Sequence, residues 1–199
     1  REMGIDVLPP DINVGEGKFA VSDGKIRYGM YAIKSIGRPV VDFIVAERQQ
    51  NGDYKTIEDF LKRVSGKEVN KRAVENLIKA GAMDGLDGNR HQMITVFPSI
   101  MDRISSDKKS SMAGQMTLFD IASDDIKEEF EIKMPDLEEY DKEEFLALEK
   151  EVLGVYVSGH PLEEYQELEK TIAYLQSLLN DETLLMGVIK QEMGDIRDK

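Results

Sequence analysis

The chain has 199 residues, 41% apolar and 33% charged, with a formal net charge of −13, the make-up of a soluble globular protein with length for one or two cores. It holds no cysteine, which excludes disulfides and thiolate metal sites and fits a cytoplasmic address. No apolar run reaches the ~18 residues of a membrane span, and Arg1-Glu2-Met3-Gly4 lacks the apolar stretch of a signal peptide; opening on Arg1 and closing on Arg197-Asp198-Lys199, the chain reads as an excised piece.

Residues 4–13, with Pro9-Pro10, read as extended backbone, because two prolines in a row forbid a helix. Phe19-Ala20-Val21 and Ile26-Arg27-Tyr28 flank Ser22-Asp23-Gly24, and Asp-Gly between apolar runs predicts a β-hairpin. Met30 to Ser35 reads as one short helix. Ile36-Gly37-Arg38 breaks it, and Pro39 suits the first turn of a helix reaching about Gln49, with Val40, Phe43 and Ile44 on one face. Thr56 with Asp59 three residues on resembles a capping box opening a helix over 57–64. Asn70 is the N-cap of a helix striped with Val74, Leu77 and Ile78, which Gly81 ends. After turn residues 84–88, Asn89 caps a helix carrying Met93, Ile94, Phe97 and Ile100, with Pro98 as a kink.

Residues 105–114 read as a flexible linker, and residues 123–144 as an acidic stretch broken by Pro135. A helix over about 141–153 follows, then Ser158-Gly159-His160-Pro161, a helix over about 162–170, and β character from Leu184 to Ile189. Charge divides the chain. Residues 1–105 hold 16 Lys and Arg against 15 Asp and Glu, whereas residues 106–199 hold 10 against 24. A balanced first part can present a basic face to phosphate; the second part would be repelled by it.

The stretches 30–49 and 70–103 each give helix, short glycine-bearing turn, helix. A tight turn before a helix start directs unpaired amides outward at the positive end of the dipole, and such a turn holds a phosphate without reading a base. Lys34, Ile36, Gly37, Arg38, Lys71, Arg72, Gly81 and Arg90 lie at or near these turns. The alternative is a pair of ordinary helical hairpins.

A different signal is Gly114-Gln115-Met116-Thr117-Leu118-Phe119-Asp120, where Leu-Phe follows a polar stretch with no periodic partners. As a short peptide ligand it would fill a partner's pocket with Leu118 and Phe119, each contributing roughly 1.5–3 kcal/mol before ordering costs, while Gln115 hydrogen-bonds at the rim. Equally, the two side chains staple the segment to the local core. His91 and His160, the only histidines, show no metal-ligand spacing, and no nucleophile elbow or phosphate loop occurs. No catalytic or metal-binding residue stands out.

Three stretches together resemble the alpha subunit of bacterial DNA polymerase III, the DnaE-type C-family polymerase. They are Gly4–Asn13 with Ile26–Gly37, Asn70–Asp84, and Glu149–Leu162. The resemblance runs over nearly the whole chain and implies a mainly α architecture. Residues 1–105 would be the end of the fingers region with a tandem helix-hairpin-helix unit and a small N-terminal β-hairpin. Residues 106–122 would be a linker, 123–183 an acidic helical connector, and 184–199 the start of a truncated OB-fold. The family's Gln-x-x-Leu-Phe peptide binds the sliding clamp, the beta subunit, which gives Gln115, Met116, Leu118 and Phe119 that role. The implied work is sequence-independent holding of DNA and tethering to the clamp, beside other holoenzyme subunits and away from membranes; the alternative is a scaffold that docks subunits without touching DNA. The family's catalytic aspartates and Mg²⁺ belong to the palm, upstream, so no polymerase activity is expected of this chain alone.

Overall fold

A computed structural model describes residues 5–22, 24–65, 69–112, 133–180 and 186. Contacts divide the chain into two units, residues 1–158 and 159–199.

The first unit opens on a three-stranded sheet in the order β1-β3-β2. Strands β2 (Ala20–Ser22) and β3 (Lys25–Arg27) form the predicted hairpin, Val21 opposite Ile26. The sequence does not foretell that β1 (Val7–Leu8) adds to β3 in parallel, with Val7 opposite Ile26. Two residues are too short to show a period, and the pairing is long-range.

Residues 30–35 are not one helix. A 3-10 turn covers Met30–Ala32, and Ser35 takes a left-handed backbone, φ 61°. Helix α1 (Arg38–Asn51) starts with Pro39 in its first turn and buries Val40, Val41 and Ile44, Phe43 being half-buried. Its Arg48 donates to the carbonyls of Ile12 (3.0 Å) and Gly15 (2.8 Å), tying the N-terminal loop to the helix. Helix α2 (Ile57–Val64) begins as expected, the Thr56 hydroxyl accepting from the Asp59 amide at 3.0 Å while Asp59 accepts from the Lys55 amide.

Helix α3 (Lys71–Lys79) is capped by Asn70, whose side-chain oxygen accepts from the Ala73 amide. Helix α4 (Arg90–Met112) packs on α2 and α3. Asn89 and Gln92 cap it reciprocally, each side-chain oxygen accepting from the other's amide. The linker expected from residue 105 is helix as far as Met112. Residues 105–112 contain neither glycine nor proline, Ile104 is buried, and Lys108 Nζ donates to the Ser65 carbonyl at 2.7 Å, so the preceding helix propagates through a polar sequence of loop-like composition. Pro98 sits within α4 without ending it.

Helix α5 (Lys142–Leu153), opened by the Asp141 cap and closed by Gly154 at φ 78°, packs against α3. Val152, Leu153 and Val157 enter the same core as Ile44, Phe60, Leu77 and Met93. The acidic half therefore begins as an integral wall of the first unit. In the second unit, α6 (Glu163–Asn180) extends ten residues beyond the predicted end and exposes Tyr165, Leu168, Ile172 and Leu175. The strand expected over 184–189 lies outside the described residues except for Met186, which is helical.

Candidate nucleic-acid interface

The first hairpin turn stands on the surface. Ile36 is tucked into the core, so the turn is anchored, while Lys34, Ser35, Gly37 and Arg38 are exposed. Gly37 is the N-cap of α1 with φ −70° and ψ 146°, and no side chain caps the helix. A Cβ added at Gly37 would meet only Pro39 Cδ at 3.7 Å. Neither backbone angle nor crowding inside the chain demands glycine here. A serine, asparagine or aspartate would cap the helix better.

Two connections hold this turn against the rest of the unit. The Asn76 side-chain amide of α3 donates to the Lys34 carbonyl at 2.7 Å, and the Lys34 amide donates to the Val152 carbonyl at 2.9 Å. Helices α3 and α5 thereby meet the turn along a groove of about 540 Å³ lined by Lys34, Ser35, Lys71, Arg72, Glu75, Asn76, Lys79, Glu151 and Val152. Four cations and two carboxylates give its walls a positive balance.

The cations differ in commitment. Arg72 has no hydrogen-bond or ion-pair partner among the described residues. Lys71 pairs with Asp102 at 2.7 Å, both side chains well exposed. Lys34 Nζ donates to the Glu151 carbonyl at 2.8 Å. Lys79 Nζ lies 2.9 Å from Glu75 and 3.2 Å from Glu151. Partial burial works to lower its pKa, but the hydrogen bonds it donates to these two carboxylates outweigh that and hold the ammonium above the usual lysine range. Arg38 lies outside the groove, its guanidinium 5.3 Å over the Tyr31 ring.

The second turn is closed. Gly81, at φ 77°, is buried, and a Cβ there would fall 2.2 Å from Arg90 Nη2. Arg90, expected as a surface cation, is 1% exposed and belongs to the core. Its guanidinium grips Asp84 with two bonds (2.8 and 2.6 Å), donates to the Lys79 carbonyl at 3.1 Å, and reaches Glu149 at 3.2 Å. Glu149, fully buried on α5, also accepts from the Val157 and Ser158 amides at 3.0 Å each. The amides that open α4 are taken too: Glu139 accepts from the Arg90 amide at 3.0 Å and the His91 amide at 3.2 Å. Neither Gly81 nor Arg90 faces a ligand, because this turn's donors serve the chain itself.

The expected cations thus divide: Lys34, Lys71 and Arg72 share one groove, Arg38 stands beside the first turn, and Arg90 is withdrawn. Sequence reading misses Lys79, Asn76 and Glu151. Arg72, Glu75, Asn76 and Lys79 recur at helical spacing on α3, so a polar stripe is visible there; Glu151 joins through tertiary packing alone. Gln115, Met116, Leu118 and Phe119 lie outside the described residues. No cluster of three or more potential metal ligands occurs among the described residues, nor any helix long and apolar enough to cross a membrane.

Two glycine-marked turns lead into longer helices around one core, and residues 4–93 match the family model of the helix-hairpin-helix motif. The relatives identify the larger family. The chain is 40% identical over 180 residues to the DNA polymerase III subunit alpha of Borreliella burgdorferi, covering 89% of this chain and 16% of that protein. The Chlamydia pneumoniae subunit is 41% identical over 164 residues (82% and 13%), and that of Vibrio cholerae 37% over 182 residues (91% and 15%). The chain belongs to the DNA polymerase III alpha-subunit family and spans about a seventh of the length of the relatives it matches.

Proposed function

We propose that this chain holds primer–template DNA by its backbone and ties a replicative polymerase subunit to the sliding clamp for processive synthesis in the cytoplasm. The observation that carries the DNA half is the first turn: an exposed, uncapped glycine N-cap beside a groove bearing Lys34, Lys71, Arg72 and Lys79. Amides at a helix start and lysines or arginines alongside are the donors that bind phosphate oxygens, and they read no base edges. Binding should therefore be indifferent to sequence, with log affinity falling against log salt at a slope of about −3, as expected for some three or four neutralised phosphates. Fluorescence anisotropy with two duplexes of unrelated sequence at several salt concentrations tests this. A salt-independent affinity overturns it.

The clamp half rests on the Gln115-Met116-Thr117-Leu118-Phe119 motif and its place in the chain. Changing Leu118 and Phe119 together to alanine should abolish capture by the clamp while leaving DNA binding intact. Unchanged capture removes the tethering role. On this reading nucleotidyl transfer with Mg²⁺ is the work of other parts of the full-length subunit, and primer extension by this chain alone stays blank.

The scaffold reading is favoured at one place, the second turn, where Arg90, Glu149 and Glu139 satisfy the donors that a phosphate would need. We assign that turn to assembly of the module and the first turn to DNA.

A further inference from the structure

Glu151 sits in the basic groove, and the DNA reading gives it no role. It stands near the end of α5, in the acid-rich part of the chain. Both of its carboxylate oxygens lie 3.2 Å from Lys79 Nζ, and its backbone carbonyl receives Lys34 Nζ at 2.8 Å. The side chain is 59% exposed, so the charge is at the groove's open edge rather than in the core.

Stability does not account for a carboxylate there. An ion pair whose carboxylate stands mostly in solvent adds little to stability. The tie to Lys34 uses the Glu151 carbonyl, which any residue supplies. Helix α5 is held by Leu146, Val152 and Leu153 in the core and by the buried Glu149–Arg90 pair. What the carboxylate does alter is the groove's field: it occupies the Lys79 ammonium and repels a polyanion at the edge where one would arrive.

Resting on the DNA-holding reading, we infer that Glu151 sets the affinity of this groove by competing with the nucleic-acid phosphate for Lys79. An arriving phosphate displaces the Glu151 carboxylate while Lys79 keeps its same-helix partner Glu75, 2.9 Å away. The exchange leaves Lys79 charged throughout, so the contact costs one exposed ion pair and releases readily. A polymerase subunit that must move along its template needs a grip of this kind, firm in number of contacts and weak in each.

The test compares Glu151→Gln with Glu143→Gln. Glu143 is an exposed carboxylate in the first turn of the same helix, about 12 Å away along the axis, so both variants remove one charge and only one removes it from the groove. For duplex DNA at low salt, E151Q should tighten binding about threefold to tenfold while the salt slope stays near its parent value, because Lys79 meets a phosphate in both chains and only the competing carboxylate is gone. E143Q should change affinity by less than about twofold, as screening over that distance demands. Equal gains from both variants, or no gain from E151Q, overturn the inference. Failure of the unmodified chain to bind duplex at all would instead sink the DNA reading. In that event inorganic pyrophosphate, titrated while the Lys34 and Lys79 amide resonances are followed, separates the same alternatives: tighter binding to E151Q alone supports the competition, and equal binding overturns it.

Discussion

The turn at Ser35–Gly37 and the turn at Ala80–Asp84 each lead out of a short helical element toward a longer helix, α1 in one case and α4 in the other. In the first, the helix start is uncapped and glycine stands in open space with an ordinary extended backbone. In the second, glycine is left-handed, buried and pressed against a guanidinium, and the helix start is capped by Asn89 and covered by Glu139. One motif therefore serves two ends. Where a turn's donors are satisfied internally it stabilises the module; where they are left to solvent they are available to another molecule. Glycine alone does not distinguish the cases, because one glycine is needed by the chain's own geometry and the other is not.

The largest expected effect tests the closed turn. Arg90→Ala leaves Glu149 buried, charged and without its cation, and breaking a buried pair in this way costs about 3–5 kcal/mol. Asp84 also loses the bonds that shape the turn. Chemical denaturation should reveal this loss, while Arg72→Ala, on the exposed α3 face, should stay within about 0.5 kcal/mol of the parent. An Arg90→Ala variant as stable as the parent would mean that the second turn is not the structural one.

The glycines sharpen the contrast. Gly81→Ala adds a Cβ 2.2 Å from Arg90 Nη2 at a φ of 77° and should cost about 2–4 kcal/mol through strain and displacement of the ion pair. Gly37→Ser should do the reverse. Its φ of −70° suits any residue, and serine caps better than glycine by a few tenths of a kcal/mol. The new hydroxyl would share the Val40 amide, which the Gly37 carbonyl already accepts at 3.1 Å, and the added side chain would stand where a phosphate approaches the open turn, so DNA affinity should fall while stability rises slightly. Loss of both together would show that Gly37 is structural after all.

How much of this is legible in the sequence follows from the range of the interactions. The Thr56, Asn70 and Asn89 caps act within three residues, so sequence alone locates the starts of α2, α3 and α4; Asp141 caps α5 over the same range but reads from the sequence as part of the helix. Glu149 is half-visible: it falls on the apolar stripe of Leu146, Val152 and Leu153, where a carboxylate requires a buried partner. That partner, Arg90, is 59 residues distant and reads from the sequence as a surface cation. The helix at 105–112 escapes sequence reading because serine and lysine look like linker composition, although nothing in them stops a helix already held at Ile104. The groove is legible only as separate cations, since Glu151 and Lys79 come together through packing of α5 on α3.

In the core, Tyr54 supports α1, its hydroxyl donating to the Ile44 carbonyl at 2.9 Å. Burial pushes this hydroxyl up from 10.0 to about 12, against the lowering influence of the Arg63 guanidinium 4.2 Å over its ring. The folded state thus keeps the proton more tightly than the unfolded chain. The stabilisation is complete below the unfolded value of 10.0 and is lost as pH climbs through about 12. Tyr54→Phe should cost about 1 kcal/mol near neutral pH for the lost hydrogen bond and flatten the alkaline limb. Urea unfolding near pH 8 and near pH 11 measures both.

The last effect concerns Ser35, the only non-glycine among the described residues with a left-handed backbone. Ser35 holds φ 61°, a conformation that costs a side-chain-bearing residue about 1 kcal/mol more than glycine. Glycine loses more chain entropy on folding, so Ser35→Gly should stabilise by only about 0.5 kcal/mol. The Asn76 bond to the Lys34 carbonyl and the Lys34 bond to Val152 persist in the variant, which keeps the turn in place and DNA affinity near its parent value. Were Ser35→Gly to destabilise the fold or loosen DNA binding, the left-handed turn would owe its position to the serine rather than to the bonds on either side of it, and the open turn would be as internally committed as the closed one.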